Sequence, residues 1–502
     1  MKLYKYLTIA ASLAFGSAMT GCSDWLDYTP KDKQSYEQIF STETGFHTTV
    51  NGIYNTLTSN ALYGYNLSYG PIEAMGLSYN ISSSAGAMYE CRNATYTGSY
   101  ASSILTNIWS TAYKTILNAN LVIEALDEFP GVLTESDASI IEAEMLALRA
   151  YLHFDLTRIF GPIPATNISG LAVPYAESSD VVKRDRLPAD VLIKDYVLRD
   201  LSRAEEILAK YDPILTDGVL NSSGETTADN WSRYRQLRLN YYAVILLKAR
   251  AYMWLADYSS ALAEAKKITD SPKAAETFPW VVSNRLLGNS TNPDRIFSTE
   301  CLFGFYNNSM SDIYQNYFSS ALQQTTLLQP VKGYVSDVLF SSRTADYRYQ
   351  AQWVANSSLT GGFEFVKYKS FTTNSNNPDF WATFYGLLRI SEAYYIASES
   401  ALNLNDTSTS LNYLNTVLEA RGVPALADNT TVANLQKEIE LEYARELRGE
   451  GQNFFQLKRY NCNVGIYYSP NKSHLNASAE MGTDSPSKAN RYNVPIPSGE
   501  TY

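Results

Sequence analysis

The sequence predicts an all-α fold, a tetratricopeptide-like helical-repeat scaffold carrying long irregular loop insertions. Three observations predict it. Apolar residues recur at helical spacing over several long segments, the pattern of amphipathic helices that bury one face. These segments fall in pairs joined by short turns, the arrangement of stacked helical hairpins. Two stretches rich in Ser, Gly, Asn and Tyr, at about 60–103 and 270–377, break the periodicity and read as loop regions with short elements. No alternation of strand and helix patterns supports an α/β sheet.

Taken in order, 35–59 reads as a first helix, with Ile39, Phe40, Val50, Ile53, Tyr54 and Leu57 near helical spacing. The pattern then collapses until residue 104, where a helix begins that runs to about 129 and stops at Pro130-Gly131. The next starts near Glu135. Its Ile141, Met145, Leu148, Leu152 and Ile159 follow 4-3-4-7 spacing and so share a face, and Gly161-Pro162 ends it. Helices follow at 189–210 and 235–256, and Asp257-Tyr258 turns the second of them into 259–269. After the second loop region, 380–404, 408–421 and 432–460 read as the closing helices. The tail from Asn461 is loop-like and contains Val494-Pro495-Ile496-Pro497.

A length of 502 residues would divide into about three domains on size alone, but stacked helix pairs share one continuous core. The net charge of −11 and pI near 5.0 lack the basic footprint that nucleic acid or an anionic membrane surface requires. There are 39 Tyr against 19 Phe and 7 Trp. Tyrosine, with an apolar face and a polar tip, suits both the ends of a helical core and a sugar-binding surface. The cysteines are Cys22, Cys91, Cys301 and Cys462, without CxxC or metal-like spacing.

The first residues bear on the compartment. Lys2 and Lys5 precede a short apolar run, 7–19, too short to span a bilayer and flanked as an export signal. It ends in Met19-Thr20-Gly21-Cys22, which resembles the lipobox of bacterial lipoproteins. That resemblance implies removal of residues 1–21 and lipidation of Cys22, with several acyl chains giving a stable anchor. Ordinary secretory cleavage near Ala18 is the alternative. The apolar stretch 241–255 is interrupted by Lys248 and Arg250 and does not read as a membrane span.

Residues 247–268, LKARAYMWLADYSSALAEAKKI, place Ala249, Tyr252, Ala261, Leu262 and Ala265 around Asp257-Tyr258, as in a tetratricopeptide hairpin. Alanine at the crossing lets two helix axes approach closely. The chain as a whole then resembles the SusD/RagB family over nearly its full length. The blocks that carry this are Ile108-Trp109-Ser110 with Asn118-Ala119-Asn120, and Glu142-Ala143-Glu144 through Leu148-Arg149-Ala150-Tyr151 to Ile159-Phe160-Gly161-Pro162-Ile163-Pro164. Further blocks are Asp200-Leu201 with Ala204, and Leu388-Arg389-Ile390-Ser391-Glu392-Ala393 with Glu399. The last is Glu442-Tyr443-Ala444-Arg445-Glu446-Leu447 with Glu450-Gly451 and Phe454-Phe455-Gln456-Leu457-Lys458-Arg459. Tyr443 and Asn453 stand where the family usually has Arg, and Gln456 where it has Asp, so the ion pairs there are expected to differ.

The resemblance implies a leader at 1–21 and one SusD-like domain at 22–502, with helical pairs at about 104–160, 189–269 and 380–460. It implies a non-enzymatic lipoprotein on the outer face of a bacterial outer membrane. There it captures an oligosaccharide or polysaccharide such as starch, or in some members a peptide, and delivers it to a SusC-type TonB-dependent transporter. No cofactor is implied. An all-helical glycoside hydrolase and a scaffold that binds only proteins are the readings of another class.

Glu442, Glu446 and Glu450 fall at i, i+4 and i+8, and paired carboxylates could serve glycoside hydrolysis. With Arg445 and Arg448 three to four residues away, ion pairing is the simpler expectation. His153 reads as a packed or capped histidine, and His47, His153 and His474 are too dispersed for a zinc site. No P-loop, GxGxxG after a strand, or GxSxG occurs. Binding residues usually sit on loops held by a rigid scaffold, and sugar rings stack on aromatic faces while their hydroxyls need Asn, Asp, Arg or Gln. The first loop region carries Tyr63, Tyr65, Tyr69, Tyr79, Tyr89, Arg92, Asn93, Tyr96 and Tyr100. The second carries Trp280, Phe305, Tyr306, Asn307, Tyr314, Tyr317 and Trp353. From these, Tyr79, Tyr89, Arg92, Asn93, Trp280, Tyr306, Asn307, Tyr314, Tyr317 and Trp353 are the expected ligand contacts. Cys91 and Cys301 lie one in each region, leaving a bridge between them open.

Overall fold

Most of the periodic segments become helices, and the helices of the scaffold pack on one another in chain order. In the computed structural model the described residues are 31–82, 86–219, 231, 234–288, 293–307, 310–369, 380–462 and 491–498; the expected leader and Cys22 lie outside them. The first helix is two, α1 (Lys31–Phe40) and α2 (Glu43–Leu57). The chain turns extended at Thr42, whose hydroxyl accepts from Gly45 N at 3.1 Å. Gly45 is required there because any side chain would collide with the Ile39 carbonyl. The first loop region holds the short helices α3 (Pro71–Met75) and α4 (Ala87–Arg92). It ends earlier than its composition suggests, because α5 spans Ser99–Glu128.

The scaffold continues with α6 (Glu135–Phe160), α7 (Leu198–Tyr211, entered through a π turn at Leu192–Val197), α8 (Tyr241–Trp254) and α9 (Tyr258–Thr269). It closes with α10 (Ile390–Asn403), α11 (Thr407–Ala420), α12 (Val432–Glu446) and α13 (Asn453–Tyr460). Consecutive members from α5 to α11 pack against one another, α9 meeting α10 across the long insertion. Ala249, Ala261 and Ala265 are fully buried at the α8–α9 crossing. The turn of that hairpin recurs in the next. Ala256 and Asn405 take positive φ of 56° and 65°, and the following aspartates, Asp257 and Asp406, cap α9 and α11 through Ser260 N and Thr409 N at 3.1 and 3.0 Å.

Three further expected helices need correction: the helix expected at 235–256 begins only at Tyr241, after a short turn at Arg235–Leu237, and two more are broken. Segment 380–404 is not helical throughout: Phe384–Arg389 is a strand that pairs antiparallel with Cys301–Tyr306, and α10 begins only at Ile390. Numbered in chain order, the strands are β1 (Cys301–Tyr306), β2 (Trp353–Ala355), β3 (Phe363–Phe365) and β4 (Phe384–Arg389), with β2 paired to β3. A short apolar run carries no period that separates a buried strand from a buried helix. Segment 432–460 is broken after Glu446. Gly449 and Gly451 adopt φ of 77° and 76°, and their N–H groups donate at 3.1 and 3.0 Å to Oε1 of Glu73. This buried carboxylate from α3 turns the chain, an interaction with no local sequence signal.

The break also removes Glu450 from the helix that bears Glu442 and Glu446. All three carboxylates are buried in ion pairs, and their main partners come from distant segments rather than from Arg445 and Arg448. Arg348 reaches Glu442 at 2.7 Å and Glu446 at 2.8 Å. Arg421 meets Glu446 and Glu300, each at 2.6 Å, and Arg389 joins Glu446 to Glu450. Arg445 does pair with Glu442, at 2.6 Å. Burial raises and the surrounding guanidinium groups more than reverse the shift at Glu442, holding it at about 2. These groups form a structural brace, not a hydrolytic pair on a cleft.

At the substituted family positions, Asn453 donates to Gly76 O and Ser78 Oγ, each at 3.0 Å, and the Tyr443 ring packs on Tyr395 at 5.2 Å. Gln456 Nε2 has no partner among the described residues and lines a cavity of about 50 Å³ together with Arg250 and Trp254, enough room for water to serve those donors. His153 is a packed histidine. Nδ1 lies 2.8 Å from Arg149 O, Nε2 takes the Ala176 N–H at 3.0 Å, and the ring stacks on Tyr175 at 3.9 Å. Burial pushes its pKa down to about 3, so the ring is neutral, with Nδ1–H donating. Cys91, Cys301 and Cys462 are separate buried thiols, so no bridge joins the two loop regions. Among the described residues no helix is long and apolar enough to cross a membrane.

Candidate functional site

The two loop regions meet through backbone and side-chain latches rather than a disulfide. Asn80 N donates to Gln329 O at 2.8 Å, and the Gln329 side chain accepts from Gly361 N at 2.9 Å. One buried glutamine thus ties the first region to two points of the second. Beside this latch lies a cleft of about 430 Å³, within the range of small-ligand sites. Tyr65, Ile81, Ser82 and Met88 line it from the first region, and Asn316, Tyr317 and 325–328 from the second.

Consecutive turns over 57–70 place Tyr65, whose carbonyl accepts from Gly70 N at 3.0 Å. Tyr317 sits in a π turn, Tyr314–Phe318, and its carbonyl accepts from Leu328 N at 2.8 Å. The two rings stack at 4.9 Å and 24°, and Tyr69 closes on both at 5.4 and 5.5 Å. Burial, and then the neighbouring Tyr317, push the Tyr65 hydroxyl above its ordinary value. It therefore stays protonated at any physiological pH and can donate. The lining is aromatic and aliphatic, with hydroxyl and amide groups and, among the described residues, no charged side chain.

Of the ten expected contacts, Tyr317 lines this cleft. Tyr79 is buried behind it, its hydroxyl donating to Tyr69 O at 2.8 Å and its carbonyl accepting from Arg92 Nε at 3.1 Å. Arg92 and Asn93 are joined at 3.3 Å, and Asn93 caps α4 through Tyr89 O at 3.1 Å. Tyr89 is 37% exposed. Tyr314 is buried with its hydroxyl on Glu364, and Trp353 is buried against Phe365 at 4.7 Å. Trp280 packs on Tyr394 at 5.3 Å beneath Arg421. Asn307 follows β1, its N–H donating to Thr383 O at 2.6 Å. Tyr306 lines a different cleft of about 410 Å³ with Phe305, Tyr54 and Arg238.

Tyr65 belongs to the aromatic set of the first region but not to the ten. Met88, Asn316, Leu327 and Leu328 carry no signal in the sequence that marks them for a site.

A family model described as "Starch-binding associating with outer membrane" and named SusD-like matches residues 24–253, and the SusD family model matches 305–502. The SusD-like protein P38 of Formosa agariphila is 23% identical over 403 residues, covering 71% of this chain and 73% of that protein. A SusD superfamily protein from Bacteroides thetaiotaomicron superposes with a TM-score of 0.65 at 19% identity, over 91% of this chain and 97% of the other. A SusD-like carbohydrate binding protein from Bacteroides vulgatus does so with 0.63 at 17% identity, over 84% of each.

Proposed function

Since the chain belongs to the SusD family, we propose that it captures a neutral glycan in the Tyr65–Tyr317 cleft for uptake across the outer membrane. The observation that carries this reading is the composition and origin of the cleft. Both loop regions contribute to it, its aromatic faces suit the C–H faces of sugar rings, and Ser82, Asn316, Thr325 and Thr326 suit hydroxyls. The uncharged lining favours neutral sugars, because a buried anionic group would need a cation to meet it. The family description, starch binding in association with the outer membrane, supports the same class.

On this reading Cys22 carries the lipid anchor, the protein stands on the cell surface, and a SusC-type TonB-dependent transporter receives the glycan. The chain holds its ligand and leaves it unaltered, consistent with the burial of Glu442 and Glu446 in arginine pairs away from the cleft. A peptide is the second reading, favoured by the aliphatic wall of Ile81, Met88, Leu327 and Leu328.

The test is calorimetric titration of the chain, solubilised in a detergent without a sugar headgroup. The probes are maltohexaose, cellohexaose, xylohexaose and mannohexaose, with a mixed peptide digest as the competing arm. Binding of one hexasaccharide that Tyr317→Ala weakens about tenfold, roughly 1.4 kcal/mol, supports glycan capture. Binding of the digest alone moves the assignment to peptide.

A further inference from the structure

The second cleft is built on the outward face of α2. Asn51, Asn55 and Thr58 fall at i, i+4 and i+7, opposite the buried Phe46, Val50, Ile53 and Leu57. Such a polar stripe is ordinarily a solvated helix face. Here it looks across a hollow of about 410 Å³ at Phe305 and Tyr306, the last residues of β1, and at Trp231, Tyr234 and Arg238. Tyr306 is 42% exposed although it ends a strand whose other residues are buried.

One wall of the cleft is a stack of planar groups. His47 lies on Trp231 at 3.9 Å and 7°, and Arg238 lies 4.2 Å from the Trp231 ring and 4.7 Å from the Tyr54 ring. Asn51 Oδ1 accepts from Arg238 Nη2 at 2.5 Å. Tyr54 is itself fixed, donating to Glu144 Oε2 and accepting from Leu239 N, each at 3.0 Å. Arg238 is 9% exposed, and its Nη1, 3.9 Å from Glu144, has no hydrogen-bond acceptor among the described residues. A buried donor left unmatched is costly, so this edge suits an acceptor that the described residues do not supply. Glu144 offsets the arginine charge, which suits an acceptor that is neutral.

We propose that this cleft is a second carbohydrate subsite, where a sugar ring of a neutral glycan lies on Tyr306 and its hydroxyls meet Asn51, Asn55, Thr58 and Arg238. The proposal rests on the glycan reading of the first cleft. Three ring contacts lead from one cleft to the other: Phe305 to Tyr385 at 5.4 Å, Tyr385 to Tyr69 at 6.3 Å and Tyr69 to Tyr317 at 5.5 Å. This packed aromatic layer backs both clefts.

The same titration with maltohexaose, cellohexaose, xylohexaose and mannohexaose tests it on the intact chain, Tyr306→Ala, Asn55→Ala and Tyr317→Ala. Two equivalents of one hexasaccharide are expected per chain. Tyr306→Ala and Tyr317→Ala should each weaken a different equivalent about tenfold, and Asn55→Ala should weaken the same equivalent as Tyr306→Ala at least threefold. Both Tyr306 and Asn55 are exposed, and thermal melts of their variants should match the intact chain. One equivalent, weakened in Tyr317→Ala and unchanged in Tyr306→Ala and Asn55→Ala, overturns the second subsite and leaves the first. Silence of the intact chain toward all four sugars overturns both.

Discussion

Lys458 shows how a single residue is fixed by what lies around it. Its Nζ donates to the carbonyls of Ile159 and Gly161 at 2.8 and 2.7 Å, satisfying the end of α6, and burial pushes its pKa from 10.5 down to about 7. Between those values the folded chain binds fewer protons at this site than the unfolded chain. The contribution to stability therefore rises with pH across that window, and its full cost stands below pH 7. Lys458→Met should abolish this slope. Urea unfolding from pH 7 to 10 is expected to show intact-chain stability rising relative to the variant; a constant difference counts against it. Tyrosine makes the complementary point. Tyr65, Tyr79, Tyr314 and Tyr317 are equivalent in sequence, yet Tyr79 and Tyr314 spend their hydroxyls inside the protein while Tyr65 and Tyr317 border a cleft. Residue type named the class of contact, and tertiary packing chose the member.

At the scale of elements, the long helices were legible because α6, α8 and α9 are long apolar-rich runs that end at recognisable caps and breakers, although α6 and α8 prove buried on nearly every side rather than on the one face their spacing suggests. The β1–β4 ribbon was not legible, since both its faces are buried and its runs are short. Nor was the turn between α12 and α13, which depends on Glu73 from far along the chain. The repeated hairpin turn carries its own prediction. Ala256 holds φ of 56°, where Asn405 holds 65° in the matching turn. A left-handed conformation costs alanine about 1 kcal/mol, and asparagine tolerates it better. Ala256→Asn should therefore raise the stability measured by urea unfolding by about 0.5–1 kcal/mol, and a lowered urea midpoint would be evidence of a lost contact instead.

For the whole molecule, the brace of buried ions sets the response to acid. His153 is held neutral down to about pH 3 from an ordinary 6.5, so its contribution is lost as pH falls through that interval. Glu442 is held at about 2 from 4.5, and Glu446 well below 4.5, so their contributions persist above pH 4.5 and are lost as pH falls toward 2. The melting temperature should decline from about pH 6.5 and more steeply below 4.5. A profile flat from pH 7 to 3 would mean that these groups do not limit stability. The same brace shows where the overall plan was readable. The order of helical pairs could be read along the chain, whereas Arg348, Arg389 and Arg421 converge on Glu446 only once the fold exists.

The lining of the Tyr65–Tyr317 cleft comes wholly from the segments between the helical pairs, and the pairs themselves contribute none of it. On the proposed reading, substitutions in this lining can redraw what the cleft holds while the helical pairs keep their packing. If the cleft holds the glycan, chimaeras that exchange these segments between relatives should transfer ligand preference from one to another without changing the architecture.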